Sequence, residues 1–290
     1  MQFTKLHGLG NDYIYIDAME NDLDDYDLSR LTAVLSDRHF GIGGDGVILI
    51  DEADEVDFSM RIFNADGSEA EMCGNGIRAF AKYLYEHHKT TKTELEVETL
   101  AGIIRPEMTV EDGEVTHVRV DMGPPRLKRE DIPMAGEPQD EPVIGEMLTV
   151  DDRDFEITCV SMGNPHCVIF VPAITDMLVY TYGPQIEVHP AFPARTNVEF
   201  VQIVDTHAAQ MRVWERGAGE TMACGTGASA SAVAAILNGH CSDHVVMRLR
   251  GGYLSIEWQE GESVFLTGPA TEVFSGQVHP SLLQKARSED

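Results

Sequence analysis

The sequence predicts an α/β (α+β) protein made of two pseudo-symmetric halves, each a mixed β-sheet wrapped around a central helix. Three observations carry this. The segment Met60–Ala79, MRIFNADGSEAEMCGNGIRA, aligns without a gap with Met211–Ala230, MRVWERGAGETMACGTGASA, so that Cys73 falls on Cys224 at an offset of 151. Short β-branched runs bounded by Gly, Asp or Pro recur throughout the chain, as expected of sheet-rich domains. Each repeated cysteine is followed by Gly-x-Gly and a helical segment, and the second, GASASAVAAILN, is small and apolar nearly all round. A helix without a polar face is buried.

In chain order, strands are expected over 13–17, 47–50, 58–63, 94–99 and 115–121, and then over 155–162, 167–171, 197–205, 210–215, 245–249, 253–258 and 263–268. The apolar pattern predicts helices over 28–39, with Asp27 or Ser29 at the N-cap, over 76–88 and over 227–238. The repeat extends to Gly10-Asn11-Asp12-Tyr13 with Gly163-Asn164-Pro165-His166 at an offset of 153. It extends more weakly to 45–48 with 197–200 at an offset of 152. A period this long means one domain doubled, not a solenoid. The segment Met122-Gly123-Pro124-Pro125 breaks regular structure and is the expected boundary. The first half is therefore read as residues 1–121 with 276–290 and carries Cys73; the second is read as 122–275 and carries Cys224. The acidic, Gly- and Pro-containing stretch 134–142 is expected to be a surface loop.

Composition excludes several classes of function. With 21 basic and 49 acidic residues the formal net charge is −28, which repels nucleic acid and anionic membranes. An acidic surface of this kind fits adaptation to high salt, where counterions screen self-repulsion. No apolar run approaches the roughly 20 residues of a membrane span, and no secretory signal opens the chain, so a cytoplasmic location is expected. Five cysteines without a signal argue against a disulfide framework. None has zinc-site spacing, so no metal is expected.

The chemistry concentrates at the two thiols. Each stands at a helix start, where free N–H groups and the positive end of the helix favour negative charge. The thiol pKa is therefore expected to fall, and the N–H groups of Gly74, Asn75, Gly225 and Thr226 are candidates to hold a carboxylate. Two such thiols facing one substrate would act as acid and base on opposite faces of an α-carbon, with no cofactor. Buried structural cysteines, or a disulfide between them, are the competing readings.

At these residues the chain closely resembles the diaminopimelate epimerase family. The matching stretches are 8–13, Arg38 to Gly46, Phe63 to Ser68, Met72 to Arg78, 162–166, 195–198, Trp214 to Gly217 and 223–227. The resemblance implies interconversion of LL- and meso-2,6-diaminopimelate in lysine biosynthesis, no cofactor, and a homodimer. It implies Cys73 and Cys224 as the catalytic pair. Substrate contacts are implied at Asn11, Asn64, Asn164, Asn197, Glu215 and Arg216, with catalytic support from His166 and Glu215. Arg216 would pair with the distal carboxylate, while Glu215 and the Asn amides would bind the distal ammonium. Some members have Gln where this chain has Gly46, so no contact is carried to that position. A racemase or isomerase of the same fold acting on another amino acid, or a non-catalytic amino-acid-binding protein, are the alternatives.

Overall fold

The structure is a computed structural model in which residues 1–287 are described. The chain forms two compact units, Met1–Val120 with Gly268–Asp290, and Asp121–Thr267.

In the first unit the strands are β1 (Gln2–Gly8), β2 (Asn11–Asp17), β3 (Gly46–Asp51), β4 (Phe58–Asn64), β5 (Glu69–Ala70), β6 (Val97–Thr99), β7 (Gly102–Ile104), β8 (Glu107–Glu111) and β9 (Glu114–Asp121). The helices are α1 (Leu28–Ser36) and α2 (Gly74–Glu86). The late strand Thr271–Gln277 joins the sheet in antiparallel register beside β1, pairing Gln2 with Gln277. The path then runs β1-β2-β3-β4-β6-β7. β2 and β3 are parallel, as are β4 and β6. Side chains alternate across these strands. Ile14, Ile16, Val47 and Leu49 face α1 and the C-terminal segment in one core with Leu31, Leu35 and Leu283. Tyr13, Tyr15 and Ile48 alternate with them; the Tyr15 hydroxyl donates to the Gly76 carbonyl at 2.9 Å, so this face meets α2.

The second unit contains β10 (Glu146–Val150), β11 (Arg153–Ser161), β12 (Pro165–Phe170), β13 (Asn197–Asp205), β14 (Ala208–Glu215), β15 (Gly219–Glu220), β16 (His244–Leu249), β17 (Gly252–Glu257) and β18 (Phe265–Gly268). Its helices are α3 (Gly183–Glu187) and α4 (Gly225–Leu237). The path β10-β11-β12-β13-β14-β16-β17 repeats the first unit, with parallel pairs at β12/β13 and β14/β16 and antiparallel pairs elsewhere. α4 is buried along nearly its whole length and packs against β11, β12, β13, β14, β16 and β17. The repeated Arg and Glu have a structural use: Arg61 Nε meets Glu69 Oε1 at 2.7 Å, and Arg212 Nε meets Glu220 Oε1 at 2.6 Å. Each pair ties a long strand to the short one that leads into the cysteine.

Several expectations change. The first unit's return begins at Gly268 rather than 276, because Thr271–Gln277 fills the sheet position that β10 fills in the second unit. The weak repeat has an offset of 151, not 152. Val47 pairs with Phe63 and Val198 with Trp214, so Gly46 corresponds to Asn197 and Ile48 to Glu199. The central helices start at Gly74 and Gly225, directly after the cysteines. α1 stops at Ser36 because Asp37 is extended and its carboxylate accepts from His39 N and Phe40 N; Asp27 is the N-cap. The 134–142 stretch is irregular but anchored, with Met134 in the second core. The strands β1, β7, β8, β10 and Thr271–Gln277 lacked a pattern strong enough to predict.

Candidate active site: two cysteine-capped helices

Each repeated cysteine is the N-cap of its helix. Cys73 has φ −140° and ψ 111°, and its sulfur accepts from Gly76 N at 3.3 Å. Cys224 has φ −125° and ψ 112°, and its sulfur accepts from Gly227 N at 3.3 Å. The thiol thus takes the place usually held by a Ser or Asp oxygen, satisfying one of the helix's first amides. Glycine is required one turn in. A Cβ on Gly227 would lie 2.7 Å from Glu199 Oε1 and 3.2 Å from Cys224 Sγ.

Around Cys73, β2 supplies Asn11 and Tyr13, two residues apart and so on one face. The preceding Gly10 turns at φ 91°, as Gly163 does at 95° before Asn164. Asn11 Oδ1 accepts from the thiol at 3.5 Å and from Asn75 Nδ2 at 3.1 Å, while Asn11 Nδ2 donates to Asp45 Oδ2 at 2.7 Å. Arg38 braces Asp45 and Asp12 at 2.9 and 2.6 Å. The Tyr13 hydroxyl donates to the sulfur. Fully buried Arg78 donates to the Gly74 carbonyl at 2.7 Å and to Asn75 Oδ1 at 2.8 Å. Asn64, at the end of β4, bonds Ser68 Oγ at 3.0 Å.

Around Cys224, Thr226 Oγ1 lies 3.4 Å from the sulfur and accepts from Asn164 Nδ2 at 3.4 Å. His166 is fully buried, with Nε2 2.9 Å from Asn164 Oδ1 and Nδ1 2.7 Å from Glu199 Oε1. The Asn197 amide is engaged within the unit: Nδ2 donates to the Pro165 carbonyl at 2.9 Å and Oδ1 accepts from Arg216 N at 2.9 Å. Arg216 is exposed, and its guanidinium donates to the Ala194 carbonyl at 3.2 Å. Glu215 accepts from the Thr221 hydroxyl and contributes negative potential at Cys224. Buried Glu187 holds this loop, accepting from Trp214 Nε1 at 2.8 Å and from Gly217 N at 2.9 Å.

The expected lowering of the thiol pKa values is overturned. Burial pushes Cys73 up, against the opposing effects of the Gly76 amide, the Tyr13 hydroxyl, the Asn75 amide and Arg78. Burial pushes Cys224 well up, and the Glu215 and Glu199 carboxylates add to it. Desolvation of a thiolate outweighs two or three amide hydrogen bonds. Sequence reasoning did not single out Tyr13, Arg78, Glu187 or Glu199. The spacing Asn-x-Tyr against Asn-x-His marks Tyr13, while an acidic residue inside the apolar run NVEFV marks Glu199. Among the described residues, no group of three or more His, Cys, Asp or Glu side chains is placed to hold a metal ion, and no helix is long and apolar enough to cross a membrane.

Two mixed sheets with matching strand order, each closing on a cysteine-capped helix, define a fold shared with the solved structures of a probable proline racemase and a phenazine biosynthesis protein. A probable proline racemase from Agrobacterium radiobacter K84 superposes with a TM-score of 0.67 at 17% identity, covering 96% of this chain and 93% of its own. A phenazine biosynthesis protein from Bacillus anthracis does so with 0.67 at 17%, covering 96% and 99%. The chain itself belongs to the diaminopimelate epimerase family, whose model matches residues 3–128 and 158–273. It is 55% identical over 277 residues to the diaminopimelate epimerase of Pelotomaculum thermopropionicum, covering 96% of this chain and 98% of that one. It is 50% identical over 279 residues to that of Methanococcus maripaludis, covering 96% and 99%.

Proposed function

We propose that the protein is a diaminopimelate epimerase that interconverts the LL and meso forms, serves lysine biosynthesis, and uses Cys73 and Cys224 as a two-base pair. The observation that carries this reading is the equivalence of the two thiols: each caps a central helix and each accepts from the amide three residues on, while Asn11 bonds the first thiol directly and Asn164 reaches the second through the Thr226 hydroxyl. Family membership supplies the substrate.

In the proposed reaction one thiolate removes the α-proton. The C–H bond breaks, an S–H bond forms, and the electron pair stays on carbon beside the carboxylate. The other thiol then gives its proton to the opposite face, leaving a thiolate in its place. The carboxylate is held by the first-turn amides of Gly74, Asn75, Gly225 and Thr226, which stabilise the negative charge as it develops. Raised thiol pKa values make each thiolate a stronger base and each thiol a weaker acid, so the first-turn amides and hydroxyls around the sulfurs have to favour the thiolate for proton transfer near neutral pH. Asn11, Asn64, Asn164, Asn197, Glu215 and Arg216 are the proposed substrate contacts, with Arg216 and Glu215 at the non-reacting end. The same reading takes the protein to be cytoplasmic and homodimeric, with an acidic surface suited to high salt.

The test is α-hydrogen exchange of LL-diaminopimelate in deuterium oxide, with proline and other amino acids as controls. Deuterium incorporation with inversion is expected for diaminopimelate alone. Exchange of another amino acid in preference to it would replace the substrate, and full activity in Cys73→Ala would overturn the two-thiol mechanism.

A further inference from the structure

Glu199 lies in the middle of the apolar strand β13, fully buried, where its counterpart in the first unit is Ile48. A carboxyl group at an interior sheet position is costly unless it is bonded. One oxygen is bonded to the imidazole of His166 at 2.7 Å; the other, Oε2, is buried and has no hydrogen-bond partner among the described residues. Its one side-chain partner among the described residues is therefore His166, and that partner leads toward Cys224.

The string from Glu199 is continuous. Glu199 Oε1 meets His166 Nδ1, His166 Nε2 meets Asn164 Oδ1, Asn164 Nδ2 meets Thr226 Oγ1, and Thr226 Oγ1 meets Cys224 Sγ, at 2.7, 2.9, 3.4 and 3.4 Å. With the amide so oriented, Nε2 has to be the donor to Asn164, because a carbonyl oxygen only accepts. The Nδ1–Oε1 contact then needs a proton of its own, so Glu199 and His166 together hold two protons and no net charge. Every later bond can point the same way: imidazole N–H to amide oxygen, amide N–H to hydroxyl, hydroxyl O–H to sulfur. That direction serves a thiolate, which only accepts. Gly227 completes the arrangement, since a Cβ there would strike Glu199 Oε1 at 2.7 Å.

We infer that Glu199 is a positioning residue for the reaction: it fixes the imidazole of His166 so that the Asn164–Thr226 string presents a hydrogen bond to the sulfur of Cys224. The inference rests on the proposed role of Cys224. Burial raises the Glu199 pKa while His166 opposes it, in keeping with a shared proton.

The experiment compares Glu199→Leu, similar in size but without a polar group, with Glu199→Gln, whose amide can still donate to Nδ1. Exchange kinetics with LL-diaminopimelate and the alkylation rate of each thiol by iodoacetamide are measured on both, with Cys224→Ala alongside. Loss of one hydrogen bond corresponds to a fall of about tenfold. The expected result is that kcat falls by about this factor in the Leu variant with KM held. In the same variant Cys224 alkylation changes while Cys73 alkylation does not, and Gln restores both properties. A folded Leu variant with wild-type kcat and wild-type Cys224 alkylation overturns the inference. Equal impairment of Leu and Gln does so too, since it would assign the effect to charge. Should the Leu variant not fold, nitrogen NMR of the wild-type imidazole decides: a protonated Nε2 at neutral pH supports the inference and a bare one overturns it. An active Cys224→Ala enzyme would instead remove the two-thiol reading on which the inference stands.

Discussion

The two units share a strand order and a cysteine-capped helix, yet they surround their thiols with opposite electrostatics. In the first, Cys73 has a buried guanidinium nearby, Arg78, and the Tyr13 hydroxyl donates to its sulfur. In the second, the positions corresponding to Arg78 and Tyr13 are Ser229 and His166, and the nearby charges are the carboxylates of Glu215 and Glu199. Burial raises both thiol pKa values, but Arg78 and Tyr13 moderate the rise at Cys73 while the carboxylates increase it at Cys224. Duplication thus preserved a backbone device, the sulfur N-cap, while side chains one layer away made the two copies unequal. An enzyme that works in both directions needs two acid–base groups; it does not need them to be identical.

The largest expected effect treats the halves alike. Cys73→Ala and Cys224→Ala should each lower epimerisation by about a thousandfold or more, as expected for loss of a general acid or base. Retention of activity by one of them alone would show that the halves are not partners.

Arg78→Met should separate the halves. It leaves the Gly74 carbonyl and Asn75 Oδ1 without a buried donor, at about 1–3 kcal/mol each. Denaturant unfolding should show the loss, and Cys73 should alkylate more slowly while Cys224 is unchanged. Burial and Cys73 act oppositely on Arg78, and burial prevails, so its pKa is pushed down to about 10. The charge that assists Cys73 is therefore present at neutral pH.

A smaller contrast lies in the glycines one turn into each helix. At Gly76 a Cβ meets the tip of Ile48 at 2.7 Å, whereas at Gly227 it meets Glu199 Oε1, which is fixed by His166. Gly227→Ala should cost about 1–3 kcal/mol in unfolding experiments. Gly76→Ala should cost less, since Ile48 can change rotamer. Equal costs would indicate that Glu199 is free to move.

The smallest effect is in pH dependence. Both folded thiols titrate above the ordinary value of 9.0, Cys224 further than Cys73. Thiolate is the reactive form, so alkylation should rise with pH later than for a free cysteine, and at Cys73 before Cys224. The folded state binds the thiol protons more tightly than the unfolded state. Their contribution to stability is therefore complete below pH 9 and is lost as pH rises through the folded values. Coincident alkylation profiles would erase the electrostatic difference between the halves.

The sequence by itself determined the duplication, the two thiols at helix starts, the central helices and the family. These depend on local pattern: a gapless repeat, glycines where the chain must turn, and small residues along a helix that meets sheet throughout. Strands with weak alternation, such as Gln2–Gly8 and Thr271–Gln277, were not legible, because a partner far along the chain stabilises them. The direction of the thiol pKa shifts was misjudged for a related reason. A helix start is visible in sequence, but the amount of water removed from the sulfur is a property of packing. Only the tertiary structure decided that Arg78 braces the Cys73 helix, and that Glu199 and His166 form one buried pair leading to Cys224. These residues come together through strand register, which joins positions 33 residues apart in His166 and Glu199, and short-range pattern does not encode such pairing.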